Sequence, residues 1–226
     1  MRRGILVLAV LSCLATTNRA QTAGAVIAAA DSPYTARERS LKMPEIIQAL
    51  GLKDGCVMAD IGAGNGMYEA ALSRAVGASG RVYAEDIEEK YAVKELHDRV
   101  AKDKLENVAV ILGVPEDPKL PVGALDAALM VITYHEVVPY QKMLEHVMAA
   151  LKPGGRLVVV DMMPHKTISR PRADQVKNHV IAADLAESEI RSAGFAVVSR
   201  DDHFIDDPDE ESTRWMIVFR KPAVQP

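Results

Sequence analysis

Beyond residue 30, short apolar runs alternate with longer stretches whose apolar residues recur every three or four positions. Cys56–Gly62, Arg81–Ile87, Val108–Gly113, Asp126–Thr133 and Arg156–Met163 read as strands. Met43–Leu50, Tyr68–Val76, Lys90–Lys104, Tyr140–Leu151 and Asp184–Ala193 read as helices. In Lys90–Lys104 the residues Tyr91, Val93, Leu96 and Val100 fall near one face. "GLKDG", "GASG" and "KPGG" punctuate the boundaries. Strands that are apolar throughout are buried on both faces, as in a parallel sheet. Their alternation with helices predicts an α/β fold with a doubly wound, mostly parallel seven-stranded sheet. The last two strand-like runs, Phe195–Ile205 and Arg214–Lys221, have no helix between them. They predict an antiparallel C-terminal hairpin at the sheet edge. There is no repeat and no long linker, so residues 31–222 read as one domain.

The first residues break this pattern. Arg2 and Arg3 precede an apolar run from Gly4 to about Ala15, and small and polar residues follow. This is the plan of an export signal, assigned to residues 1–20, with cleavage near Ala20 or at Ala15, Ala23 or Ala25. The run is short of the roughly 20 residues that span a bilayer, so no stable membrane span is expected after cleavage. The expected location is periplasmic or secreted. "VLSC" leaves lipid attachment at Cys13 as an alternative, and a mis-assigned start would leave the protein cytoplasmic. Removing residues 1–20 takes away three arginines and no acid, which moves the formal charge from −4 to −7. An acidic chain without a basic run argues against nucleic acid as a partner. Cys56 would then be the sole cysteine, which excludes an internal disulfide and a cysteine zinc site.

Candidate chemistry concentrates in "VMADIGAGNGMYEAAL", Val57–Leu72. Gly62, Gly64 and Gly66 lie between the first strand and the helix that follows. Glycine there lets a ligand approach the backbone. Ligands of doubly wound sheets bind at the carboxyl ends of the strands. Met67 stands where a dinucleotide fingerprint would place its last glycine, and no Gly-Lys-Ser/Thr follows, which excludes a P-loop. Asp60 precedes the turn, Glu85 and Asp86 end the second strand, and Glu116 and Asp117 follow the third. These acids would repel a phosphate. With the glycine turn they suit an adenosine that carries a cationic amino acid.

The ordered set "ADIGAGNG", "VYAEDI", "ILGVPEDPKLP", "DAALMVITYHEV", "ALKPGGRLVVVD" and "SAGFAVV" resembles the successive motifs of class I S-adenosylmethionine-dependent methyltransferases. "YHEV", the His179 stretch and "SPYTARERSLKMPEII" are similar to a group of predicted secreted bacterial methyltransferases. The resemblance implies S-adenosylmethionine as cofactor and methyl transfer to a small-molecule acceptor. It implies that Gly62, Ala63, Gly64 and Gly66 admit the methionine part and ribose. Asp60 would orient the amino group, and Asp86, or Glu85 if the register slips, would hold the ribose hydroxyls. Glu116 and Asp117 would reach adenine, and Ile132 and Thr133 would lie beside the ligand.

Methyl transfer asks the protein mainly for position and a dry pocket. A base is needed only for an acceptor whose proton is tightly held. Tyr134 and His135, in "TYHEV", are the catalytic candidates, although His135 could equally cap the next helix or line the wall. His179 is a second residue that could line the pocket. Tyr34 and Arg37 could form a lid. The acidic run His203–Glu211 lacks the spacing of a calcium loop and reads as a solvated turn, so no metal site is expected. Two other readings compete: an exported binding protein that keeps the adenosyl site without turnover, and a nicotinamide-dependent oxidoreductase. The sequence carries no reading of oligomeric state.

Overall fold

A computed structural model describes residues 34–164, 171–207 and 212–223. The segment read as an export signal, with Cys13, lies outside the described residues, as do Pro208–Glu211 of the acidic run. Seven strands form one sheet: β1 (Val57–Ile61), β2 (Arg81–Asp86), β3 (Val108–Leu112), β4 (Leu125–Val131), β5 (Leu151–Pro164), β6 (Ala196–Asp207) and β7 (Ser212–Arg220). Their spatial order is β3-β2-β1-β4-β5-β7-β6. The first five run parallel, and β7 pairs antiparallel with both β5 and β6. This is the doubly wound sheet with a C-terminal hairpin that the polar pattern predicts.

The apolar strands bury both faces. Ala59, Ala128, Met130, Leu157 and Val159 point to one hydrophobic cluster. Met58, Ala127, Leu129, Val158 and Val160 point to the other. The helices, in chain order, are α1 (Ala36–Ser40), α2 (Met43–Leu50), α3 (Glu69–Val76), α4 (Leu96–Lys102), α5 (Tyr140–Ala150), α6 (Arg172–Val176) and α7 (Ala183–Ser192). The second cluster is covered by α2, α3 and Leu96 of α4, the first by α5 and α7. Met43, Ile46, Ile47 and Leu50 form the buried stripe of α2, at the spacing that puts four residues on one helix face. Each such side chain contributes about 1.5–3 kcal/mol on burial. Pro44 near its start and Gly51 in the left-handed region at its end close α2 at both ends. Cys56 is a buried free thiol.

Some boundaries differ from the sequence pattern. Lys90–Glu95 winds as a π-helix before α4 begins at Leu96. The extra residue per turn rotates the face, so Leu96 is buried while Val93 is half exposed. Strand β5 starts at Leu151, because Leu151 pairs with Leu125 ahead of an irregularity in the register. The short helices α1 and α6 were not visible as periodic segments. A capping box at Thr35 and Glu38 holds α1.

Candidate functional site

Strands β2 and β4 flank β1 on either side, so the sheet winds in opposite directions from this point. A cleft of about 670 Å³ opens over the strand ends there. Gly62, Gly64, Glu85, Asp86, Ile132 and Thr133 lie in its wall. The glycine turn takes left-handed backbone, with φ of 75° at Gly62, 55° at Gly64 and 74° at Gly66. A Cβ at Gly62 would lie 2.3 Å from Thr133 Cγ2, so a side chain is excluded there. A Cβ at Gly64 would meet no atom within 4 Å, which leaves the backbone open to the cleft. The turn is held by β2: the Gly62 and Ala63 N–H groups donate to the Glu85 carbonyl at 2.9 and 2.8 Å. The Gly64 N–H donates to Asp86 Oδ2 at 2.9 Å, and the Glu88 N–H donates to Oδ1 at 2.8 Å. Ile132 holds φ at +53°, an unusual conformation for a β-branched residue. Such strain persists only where the surroundings impose it, and here it sits at the cleft.

Buried acids surround this turn. Glu85 is 1% exposed, and its Oε1 has no hydrogen-bond partner among the described residues. Burial, with the charge of Asp86, pushes its carboxyl up to about 8, against the opposing effect of the Gly62 N–H. Asp60 is buried behind the turn next to Glu69 of α3. Burial and the Glu69 charge raise Asp60 well above the usual carboxylate range. Burial lifts Glu69 to about 6. Asp60 lies beneath the turn and does not form part of the cleft wall, nor do Ala63 and Gly66. The loop after β3 sends Pro115 into the cleft. Glu116 is exposed outside it. Asp117 Oδ1 accepts the Lys119 N–H at 2.8 Å and lies 3.6 Å from His146.

The turn after β4, Tyr134–Glu136, buries its first two side chains. Tyr134 points away from the cleft, and its hydroxyl donates to Glu189 Oε2 at 2.9 Å. Arg172 Nε donates to Glu189 Oε1 at 2.9 Å and its guanidinium covers the Tyr140 ring at 4.7 Å. Burial and the Glu189 carboxylate push the Tyr134 phenol strongly up. It is therefore a neutral donor that ties the turn to α6 and α7. His135 is 1% exposed, with Nδ1 at 2.7 Å from Asp161 Oδ1. Its backbone N–H donates to Asp161 Oδ2 at 2.9 Å. Burial works against the charged ring, but the Asp161 carboxylate outweighs it and raises the pKa. Neither Tyr134 nor His135 lines the cleft; Glu136, Val137, Val138 and Pro139 do.

Residues 58–155, which run from the second residue of β1 through β4 and these turns, match the family model of a methyltransferase domain. This stretch carries a methyltransferase domain, and the whole sheet has the fold of class I S-adenosylmethionine-dependent methyltransferases. It is similar to a ubiquinone/menaquinone biosynthesis C-methyltransferase of Pasteurella multocida, at 31% identity over 121 residues, 51% of this chain and 43% of that protein. The chain spans only 43–46% of the length of such quinone-biosynthesis relatives. A protein of Sulfurisphaera tokodaii, described as a probable cobalt-precorrin-6B C(15)-methyltransferase (decarboxylating), is 29% identical over 77% of this chain and 93% of its own length. The fold matches the crystal structure of an S-adenosylmethionine-dependent methyltransferase from Aquifex aeolicus with a TM-score of 0.68. That match has 24% identity and covers 87% of this chain and 97% of the other.

The turn after β4 is held by residues that the sequence pattern did not single out. Asp161 ends the apolar part of β5 and sets the orientation of His135. A lone acid after "LVVV" is its only local signal. Arg172 and Glu189 reach Tyr134 from α6 and α7, and nothing near Tyr134 in the chain points to them. Tyr34 and Arg37 are outside the cleft wall; Arg37 contacts the Met67 sulfur.

Proposed function

We propose that this chain transfers the methyl group of S-adenosylmethionine to a small-molecule acceptor held in the cleft over β1, β2 and β4. The observation that carries the reading is one continuous cleft bounded by the open Gly64 backbone, the Asp86 carboxylate and the apolar Val137–Pro139 wall. When bound, S-adenosylmethionine supplies a methyl carbon already activated by sulfonium. Gly62 and Gly64 admit the ligand to the backbone. Asp86 accepts the ribose hydroxyls, held in place by its bonds to the Gly64 and Glu88 N–H groups. Glu85 Oε1, without a hydrogen-bond partner among the described residues, offers a polar contact at the cleft wall. Ile132 and Thr133 border the methyl position, and Val138, Pro139 and Met143 bound the acceptor side. The similarity to relatives named as C-methyltransferases of small biosynthetic molecules supports a small-molecule acceptor.

Calorimetric titration with S-adenosylmethionine, S-adenosylhomocysteine and NAD tests the site. Binding of the first two without NAD supports it; binding of NAD alone would restore the oxidoreductase reading. Turnover is read as S-adenosylhomocysteine released in an acceptor screen. One observation favours a non-turning binding protein: both Tyr134 and His135 are engaged by buried acids outside the cleft. Cofactor affinity with no product from any acceptor would select that reading.

We further propose that residues 1–20 direct export, on the strength of Arg2, Arg3 and the apolar run after them. None of the described helices is long and apolar enough to cross a membrane. Fractionation of an expressing bacterium with N-terminal sequencing tests the proposal. Retention of Met1 on a cytoplasmic product would refute it.

A further inference from the structure

Behind the cleft wall at Glu136, His135 and Glu136 meet His179 of the segment between α6 and α7. One ligand atom from each lies within 4.8 Å of the other two. Glu136 Oε1 is 3.6 Å from His135 Nε2 and 3.4 Å from His179 Nδ1. Neither separation reflects a well-formed hydrogen bond. Both are close to the edge of a coordination tetrahedron, about 3.4 Å when metal–ligand bonds are about 2.1 Å. The two imidazoles stand edge to face at 5.8 Å and 89°, so both rings border the same small space.

Three further observations show that this space is built. His135 is 1% exposed, and Asp161 fixes its ring through Nδ1, which turns Nε2 toward Glu136. A carboxylate on the far nitrogen is the usual support of a metal-binding histidine. Asp161 is itself held, since its two oxygens also accept the N–H groups of Met162 and His135. His179 takes left-handed backbone, φ +54°, at the end of the α6 turn, where its N–H donates to the Val176 carbonyl. Histidine is among the non-glycine residues that adopt this conformation more readily, and here it accompanies the approach of the ring to Glu136.

We propose that His135 Nε2, Glu136 and His179 Nδ1 bind a divalent first-row transition-metal ion beside the Glu136 wall of the cleft, and that the ion takes an oxygen of the methyl acceptor. Two imidazoles and one carboxylate suit zinc, cobalt, iron or nickel in the divalent state better than magnesium or calcium, which favour all-oxygen sets. Three protein ligands leave at least one position open, and Glu136 is part of the cleft wall. An acceptor hydroxyl or enol bound there ionises at lower pH and gives its proton to solvent. The anion then forms its bond to the methyl carbon as the carbon–sulfur bond breaks and the sulfur leaves as a neutral thioether. Metal binding stands on these three residues alone; its use with an acceptor rests on the methyl-transfer reading above. The site departs from the sequence expectation of no metal, because the ligands come together only through the packing of the β4 and α6 ends.

The test is calorimetry of the chelator-treated full chain with zinc chloride, and visible absorption with cobalt chloride, both without S-adenosylmethionine. The expected result is one ion per chain and the intense d–d bands of low-coordinate cobalt. Glu136→Gln and His179→Ala are exposed positions that circular dichroism should find folded. Each should weaken zinc by more than about tenfold, as expected for loss of a ligand. His203→Ala, outside the cluster, should not. Unchanged zinc affinity in both variants, or no cobalt bands, overturns the site. Acetohydroxamate, a chelating oxygen probe, should shift the cobalt bands; no shift overturns the acceptor role. S-adenosylmethionine titrated into the same metal-free protein separates the two readings. Cofactor binding without metal binding refutes the metal site alone, and metal binding without cofactor binding refutes the methyl-transfer reading.

Discussion

The turns after β1 and β4 follow neighbouring strands, yet they are built in opposite ways. After β1 the backbone faces the cleft: Gly62 and Gly64 have no side chain to interpose, and the acids stand behind or beside them. After β4 the side chains turn inward: Tyr134 goes to Glu189 and His135 to Asp161, with Glu136 left at the cleft wall. The glycines of the first turn lie in one contiguous strand, turn and helix, with β2 holding their backbone through Glu85 and Asp86. The second depends on residues 26 and 55 positions away. A ligand-binding backbone can thus be recognised in one stretch of chain, whereas an anchored side chain needs its remote partners.

Substitutions can break this contrast, beginning with the most severe. Gly62→Ala places a Cβ against Thr133 in left-handed backbone, so unfolding in urea should show a loss of about 3 kcal/mol or more. A loss below about 1 kcal/mol would mean that the turn adapts easily and that glycine is not required there. Asp86→Ala removes the partner of the Gly64 N–H and the ribose acceptor. S-adenosylmethionine affinity should fall by well over tenfold, consistent with about 2–3 kcal/mol for a charged hydrogen-bonding group. Unchanged affinity in calorimetry would remove Asp86 from the site.

Glu85 probes the acid set beside the first turn. Its folded pKa of about 8 lies above that of an unfolded glutamate, so the folded state holds a proton that the unfolded state has lost. Stability is therefore greatest below the unfolded value and declines as pH rises toward 8. Glu69, lifted to about 6, adds to the lower part of the decline. Urea midpoints for Glu85→Gln should show a shallower slope, what remains coming from Asp60 and Glu69, with a gain on the order of 2 kcal/mol at pH 8 relative to the parent. A parallel slope in parent and variant would show that Glu85 is charged in the fold.

The smallest effect is expected at the second turn. Tyr134→Phe removes one hydrogen bond to Glu189, which keeps Arg172, so stability should fall by about 1 kcal/mol. S-adenosylmethionine affinity should stay within about twofold, because the phenol does not reach the cleft. A large loss of turnover with unchanged stability would return Tyr134 to the reaction.

The layered fold and the place of the cleft are legible in the order of apolar and polar residues. Strands that are apolar at every position must be covered on both faces, and alternation with helices leaves a doubly wound parallel sheet as the solution. Three glycines between a strand and a helix mark where a ligand can approach the backbone, and the acids at the end of β2 follow from the same local geometry. The tertiary structure alone decided which acids face that cleft. Asp60 and Asp86 stand at the ends of adjacent strands, but Asp60 is buried against Glu69 while Asp86 reaches the Gly64 N–H. It alone decided the orientation of Tyr134 and His135, because a side chain's direction is set by the partners that satisfy its polar atoms once water is excluded. Those partners, Asp161, Arg172 and Glu189, and the approach of His179 to Glu136, lie far along the chain, where neither periodicity nor spacing records which residues will meet.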